Sequence, residues 1–165
     1  MIRENYKVIV AYDDKRGIGK GLDIPWHISE DLKRFKELTL NQNIIMGAKT
    51  YQSIINMNGK PLPKRNNIVL SKRLTSDESN KFDNVSVYDN YHDVLNKFED
   101  AWVIGGGEVY KVMLPHASKL YITKISGDFN CDIFFPEIKI QDWQLVENIE
   151  KEGYSYLTYN RIGHH

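Results

Sequence analysis

The sequence predicts an α/β fold: a mixed sheet with helices on both faces, parallel through most of its width and edged by antiparallel strands toward the C-terminus. Three observations carry this. Residues 7–12 form a continuous, largely β-branched run (Lys7-Val8-Ile9-Val10-Ala11-Tyr12), suited to a central strand buried on both faces. Strand-like and helix-like stretches then alternate as far as Pro115. Beyond it, residues 120–125, 143–146 and 154–159 read as strands with no helix between them, so they should pair largely antiparallel at one edge.

Composition bounds the function. A chain of 165 residues, 41% hydrophobic and 12% aromatic, is long enough for one globular domain with its own core. Its 22 basic residues balance 22 acidic ones, so no global field recruits nucleic acid or an anionic membrane. The single cysteine, Cys131, excludes an internal disulfide and a thiolate zinc site, and reads as a half-buried structural thiol. A polar N-terminus without an apolar signal region, and no window of membrane-spanning length, lead us to expect a cytoplasmic protein. Gly163-His164-His165 reads as a tag remnant, leaving residues 1–162 as the domain.

Behind the first strand, residues 13–23 make a polar loop with glycines at 17, 19 and 21, able to move or to approach a ligand closely. Lys20 does not complete a phosphate loop, because Gly21 stands where the hydroxyl belongs and no helix start follows. A helix begins near Ser29, a good N-cap, with Glu30 and Asp31 in its first turn. Leu32, Phe35 and Leu38 mark its buried face, and Asp31 leans the same way at helical spacing. A carboxylate there is either a satisfied cap or a group awaiting a ligand.

Residues 43–47 read as a second buried strand and 48–55 as the helix opening from it, with Gly47 at the turn and Lys49 beside the open N–H groups. That junction is an anion site or an ordinary turn. A proline-stiffened loop, residues 58–65, leads to a strand at 67–70, bracketed by Arg65 and Lys72; taken alone, each would be a solvated charge. A polar loop over 75–84, a strand at 85–88 and a helix over 91–99, with Val94, Leu95 and Phe98 inward, complete the next step. The strand at 101–104 ends in Gly105-Gly106-Gly107, and its helix stops at Pro115. Three glycines between strand and helix suit a pyrophosphate, yet Tyr110 replaces the third glycine of a dinucleotide fingerprint, which disfavours a simple Rossmann enzyme. Asp31, Gly47, Ser71 and the triple glycine all follow strands, so one cleft could gather them. His27, His92 and His116 are expected to be solvated and form no pair at metal-ligand spacing, so no metal is expected.

Residues 25–27 (Pro-Trp-His), 31–36, 45–47, 61–66, 104–110 (Ile-Gly-Gly-Gly-Glu-Val-Tyr), 120–123 and 132–136 together resemble bacterial dihydrofolate reductase, in order and in spacing, over nearly the whole chain. The resemblance implies a three-layer α/β/α sandwich on an eight-stranded sheet, and reduction of 7,8-dihydrofolate with NADPH. It assigns Asp31 to the pterin's paired N–H donors, Trp26 to an ordered water and Thr123 to the support of Asp31. Ile9, Val10, Leu32, Phe35, Ile54, Leu62, Ile104 and Tyr110 would line the substrate cleft, and Arg65 would clamp the substrate's α-carboxylate. The loop from Gly17 to Asp23 would be a lid over the nicotinamide. Cofactor contacts would come from Ala11, Ile18, Gly19, Gly47, Lys49, Thr50, Leu70, Ser71, Lys72, Gly105, Gly106, Gly107, Glu108, Val109 and Tyr110, with a cis peptide at Gly105-Gly106. A monomer open to antifolate inhibitors is implied. Two departures stand out: Ala48 where many bacterial members carry an arginine for the 2′-phosphate, and Ile24 where the lid has methionine. A pyrimidine reductase of riboflavin synthesis shares the fold, but has no need of the constellation from Pro25-Trp26 to Asp31.

Overall fold

Strand β1 (Tyr6–Tyr12) lies inside the sheet because its run has almost nothing to offer solvent: Tyr6, Val8, Ile9, Val10 and Tyr12 are all buried. The computed structural model describes residues 2–20, 24–74 and 81–163. After β1 come β2 (Gly17–Gly19), α1 (Ser29–Thr39), β3 (Asn43–Gly47), α2 (Ala48–Asn58), β4 (Asn66–Leu70) and β5 (Val85–Tyr88). Then follow α3 (Tyr91–Lys97), β6 (Ala101–Gly105), α4 (Gly107–Met113), β7 (Lys119–Ile125), β8 (Ile133–Phe134), β9 (Trp143–Glu150) and β10 (Tyr154–Arg161). Of the expected lid, Gly21, Leu22 and Asp23 lie outside the described residues, as do 75–80 of the expected polar loop and His164 and His165 of the tail.

Eight strands form the main sheet in the order β5-β4-β3-β6-β1-β7-β10-β9. Neighbours from β5 to β7 are parallel, while β10 runs antiparallel to both β7 and β9. The mixed α/β sheet with antiparallel C-terminal strands is therefore present, with one refinement. Strand β7 belongs to both regimes, parallel to β1 on one side and antiparallel to β10 on the other. It can do so because the chain reaches it through α4 and the turn at Leu114–His116, a crossover long enough for parallel pairing.

The inner strands of the sheet face two cores. One gathers Ile9, Ile44, Met46, Val69 and Trp102 with Phe35 and Leu38 of α1 and Tyr51, Ile54 and Ile55 of α2. The other gathers Val8, Val10, Ile45, Val103 and Ile122 with Val94 and Leu95 of α3 and Val109, Tyr110 and Met113 of α4. Helices thus cover both faces, and the parallel strands β1, β3, β4 and β6 end at the same edge. Helix α2 stops where Gly59 takes φ 74° and returns its N–H to the Ile55 carbonyl, a conformation that glycine adopts without a Cβ penalty. Helix α4 ends at Met113, and Pro115 sits in the following 3-10 turn.

Short strands β2 and β8 form a separate antiparallel pair, Gly17 opposite Phe134 and Gly19 opposite Ile133. Residues 13–23 were expected as loop throughout. Glycine-rich strands of two or three residues leave no periodicity to read.

Candidate active site

Asp31 stands three residues into α1, but the helix does not start as expected. Ile28 holds the N-cap position without a side-chain cap, Ser29 is already helical, and its hydroxyl lies 3.5 Å from His27 Nε2. The Asp31 carboxylate turns instead toward the sheet, where Oδ1 accepts the hydroxyl of Thr123 at 2.6 Å. Thr123 is 2% exposed and pairs with Ala11 in the β1–β7 register. Burial raises the Asp31 carboxyl above its ordinary value, against which the Thr123 hydrogen bond and the charge of Arg34 pull down. Both cap and site were open readings for Asp31, and the partner found is a side chain on another element.

The wall around Asp31 differs from the sequence expectation in two places. Leu32 was placed on the buried face of α1 but is 54% exposed, leaving Phe35 and Leu38 as the residues that pack. It is an uncovered apolar side chain beside the carboxylate. Val10 was expected in the substrate wall, yet its side chain lies in the opposite core layer. Strand residues alternate, so the β1 face shared with Tyr121 and Thr123 is carried by Ile9 and Ala11. Ile54, Leu62 and Ile104 are partly buried against the same cluster as Ile9. Trp26 meets Phe129 edge-on at 5.3 Å.

Arg65 is the clearest misreading of a lone residue. Expected by itself as a solvated charge, it is 6% exposed, with Nε donating to the Pro63 carbonyl at 3.0 Å and Nη1 to Thr39 Oγ1 at 3.2 Å. Thr39 in turn donates to the Phe35 carbonyl. The guanidinium is thus fastened to the C-terminal end of α1, the helix that carries Asp31. Lys72 and Lys49 are exposed, as a pair of solvated charges would be.

At the carboxyl ends of β3 and β6 two helices begin side by side. Gly47 and Gly106 are the N-cap residues of α2 and α4, and neither helix has a side-chain cap. A Cβ on Gly47 would stand 3.1 Å from Val109 Cγ2 and 3.9 Å from the Gly106 nitrogen, and one on Gly106 would stand 3.4 Å from Thr50 Oγ1. The Gly105-Gly106 peptide is cis. Gly107 is tighter still, since a Cβ there would lie 2.9 Å from Ile133 Cγ2, with Ile18 Cδ1 at 4.0 Å. So Ile18 of β2 and Ile133 of β8 border the start of α4, with Gly19 paired to Ile133. Val109 and Tyr110 turn their side chains into the core: Tyr110 is 4% exposed, its hydroxyl 2.8 Å from the Ile9 carbonyl and 2.9 Å from that of Ile104. Glu108 is exposed. At the end of β4, which carries Leu70, Ser71 Oγ accepts from the N–H groups of Arg73 and Leu74, leaving its own proton to donate.

Asp13 was missed. It is 1% exposed, Oδ1 accepting from the N–H groups of Lys15 and Gly17 and Oδ2 from that of Phe129. Burial opposes its charge, but the three backbone bonds together hold the carboxyl below the usual range. The signal was present: an aspartate closing a strand two residues before a turn residue is an Asx-turn pattern. Cys131 is half-buried, as expected, against Gly17, where a Cβ would come within 2.5 Å of its own. His116 is partly buried, its ring 5.6 Å from that of Tyr91, rather than solvated. Among the described residues no cluster of His, Cys, Asp and Glu could hold a metal, and no helix is long and apolar enough to cross a membrane.

Comparison with known proteins covers the same span. The family model described as dihydrofolate reductase matches residues 5–161. Dihydrofolate reductase of Bacillus subtilis is 41% identical over 156 residues, covering 90% of this chain and 88% of the relative. That of Haemophilus influenzae is 39% identical over 143 residues, covering 85% and 84%. A solved structure of dihydrofolate reductase from Enterococcus faecalis, complexed with NADP(H) and RAB-propyl, superimposes with a TM-score of 0.80 at 32% identity, over 98% of each chain.

Proposed function

The chain belongs to the dihydrofolate reductase family and catalyses NADPH-dependent reduction of 7,8-dihydrofolate to 5,6,7,8-tetrahydrofolate, and we propose that the Asp31–Thr123 pair is its proton-controlling centre. One observation carries this reading: a half-buried carboxylate whose only hydrogen bond among the described residues comes from the Thr123 hydroxyl. Each carboxylate oxygen accepts more than one bond, so the pair of N–H donors on a pterin's pyrimidine edge completes Asp31. The carboxylate then lies too far from N5 to protonate it directly. A water held near Trp26 delivers the proton, and the negative charge of Asp31 favours the protonated N5. Ile9, Leu32, Phe35, Ile54, Leu62 and Ile104 supply the apolar wall that keeps bulk water from weakening that charge.

The residues present fit the dinucleotide. Two adjacent helix starts leave first-turn N–H groups without a side-chain acceptor, and Gly47, Gly106 and Gly107 let the two starts and β8 pack closely against one another. NADPH, when bound, supplies the hydride that reaches C6 of the pterin. The first turns of α2 and α4, with Thr50, orient the diphosphate, while Ser71 and Lys72, with Lys49 nearby, take the 2′-phosphate that no side chain at Ala48 can reach. Ala11, Ile18 and Gly19 cover the nicotinamide. Arg65, already fixed to Thr39 and Pro63, offers its remaining N–H groups to the glutamate carboxylate at the cleft mouth. We assign these roles to one domain, residues 1–162, acting as a monomer. Removing the charge tests the centre. Asp31→Asn will lose roughly 10²- to 10⁴-fold in turnover at neutral pH, the range for a positioned acid–base group, and will recover in part at low pH as solvent protonates N5. A deficit equal at every pH contradicts the assignment.

A further inference from the structure

Arg34 lies one turn beyond Asp31 on α1, at i+3, and therefore on the same side of the helix. Its guanidinium carbon stands 4.1 Å from the centroid of the Tyr156 ring and 5.8 Å from that of Tyr121. Tyr156 is opposite Thr123 in the β10–β7 register, and Thr123 is the donor to Asp31. Arg34, Tyr156, Thr123 and Asp31 thus close a circuit between α1 and the sheet. Arg34 Nη1 is buried with no hydrogen-bond partner. A buried guanidinium nitrogen without an acceptor is unfavourable, so the charge must be compensated through space, by the faces of the two rings and by a carboxylate.

Of the other charged groups near this point, Glu30 and Lys151 are already paired. Glu30 accepts the Tyr154 hydroxyl at 2.7 Å and pairs with Lys151 at 3.4 Å, which commits the cation of the β9–β10 turn. Lys33 and Glu37 border the outer hollow beside Arg34. Tyr154 and Tyr156 face the site from β10, Thr123 from β7, and Glu30 on α1 works against the Asp31 charge. That leaves Arg34 as the positive charge acting on Asp31.

We propose that Arg34 is a positioning residue of the active site: its guanidinium, held on the face of Tyr156, supplies the positive charge that keeps the half-buried Asp31 carboxylate ionised. The contacts of Arg34 are with the rings of Tyr121 and Tyr156, and its assigned role is through Asp31. The inference rests on the reading of Asp31 as the proton-controlling group, but its test is independent of turnover. Carbon-13 NMR of the aspartate carboxyls in the intact protein, with Asp31 assigned by its absence from Asp31→Asn, gives the titration midpoint of Asp31. In Arg34→Met the midpoint should rise by about 1 unit, the low end of what a nearby opposite charge does. Arg34→Lys, which keeps the charge but loses the planar stack, should restore most of it. Should Arg34→Met fail to fold, Arg34→Gln gives the same comparison. An unchanged midpoint in the neutral variants, or a rise that lysine does not reverse, overturns the proposal. If the midpoints move as expected while Asp31→Asn keeps full turnover, it is the catalytic role of Asp31 that fails.

Discussion

At the scale of single residues, the half-buried Asp31 carboxylate and the buried Arg65 guanidinium have opposite consequences. Burial raises the Asp31 carboxyl above its ordinary 3.8, so the folded protein holds this proton more tightly than the unfolded chain does. The stability tied to it is fully present below the unfolded value and is lost as pH rises through the higher folded value. Asp31→Asn never ionises and escapes that loss. Chemical denaturation at neutral pH should therefore find the variant more stable than the parent, with the difference closing at acid pH; a parent at least as stable at neutral pH contradicts the prediction. On the role proposed for Asp31, function opposes stability there. Arg65 behaves differently, because its cation is satisfied by Thr39 and Pro63 before any ligand arrives. Arg65→Leu should weaken folate binding by about 1.5 to 3 kcal/mol, the range for hydrogen bonds to a charged group, while sparing NADPH. Equilibrium titration checks it against a pterin without the glutamate tail, for which the loss should vanish.

At the scale of elements, the turn after β1, the β2–β8 pair and the start of α4 are one mechanical assembly. Asp13 ties the turn after β1 to the 126–130 segment through Phe129, the β2–β8 pair continues that tie, and Ile133 of β8 rests on Gly107 at the start of α4. A methyl group at 107 must displace Ile133, a β-branched residue whose Cγ2 stands 2.9 Å away. Gly107→Ala should therefore cost about 1 to 3 kcal/mol in stability, as overpacking does, and weaken NADPH binding by displacing β8 from the helix start. In an Ile133→Ala background the same substitution should cost clearly less, since the clashing methyl is gone. Thermal denaturation of the double-mutant cycle reads the coupling, and strictly additive effects would show that the contact does not matter. Little of this was legible beforehand. Gly107 was picked out because a glycine run between strand and helix is a backbone signal, whereas its neighbour Ile133 is distant in sequence and nothing local ties it to that glycine.

At the scale of the molecule, what could be read ahead was whatever periodicity and punctuation encode. The run of residues 7–12 gave the central strand, Pro115 the end of α4, and the helix-free tail the antiparallel edge. Facing and depth were less accessible. The resemblance counted Val10 with the substrate wall, and a strand buried on both faces shows no alternation that would sort its two sides; Leu32 follows the helical spacing of Phe35 and Leu38 yet is 54% exposed. Arg65 looked like surface because Thr39, the side-chain acceptor that buries its guanidinium, lies 26 residues away at the end of α1, and only the Pro63 carbonyl is local. Only the whole constellation distinguishes folate from the ribosylaminopyrimidine of the riboflavin enzyme: Trp26 ahead of α1, Asp31 within it, and Thr123 reaching across from β7. The most direct measurement is the loss of nicotinamide absorbance when the purified protein is given NADPH with each acceptor in turn. Consumption with dihydrofolate alone is the result expected; turnover with the ribosylaminopyrimidine and none with dihydrofolate would contradict the account.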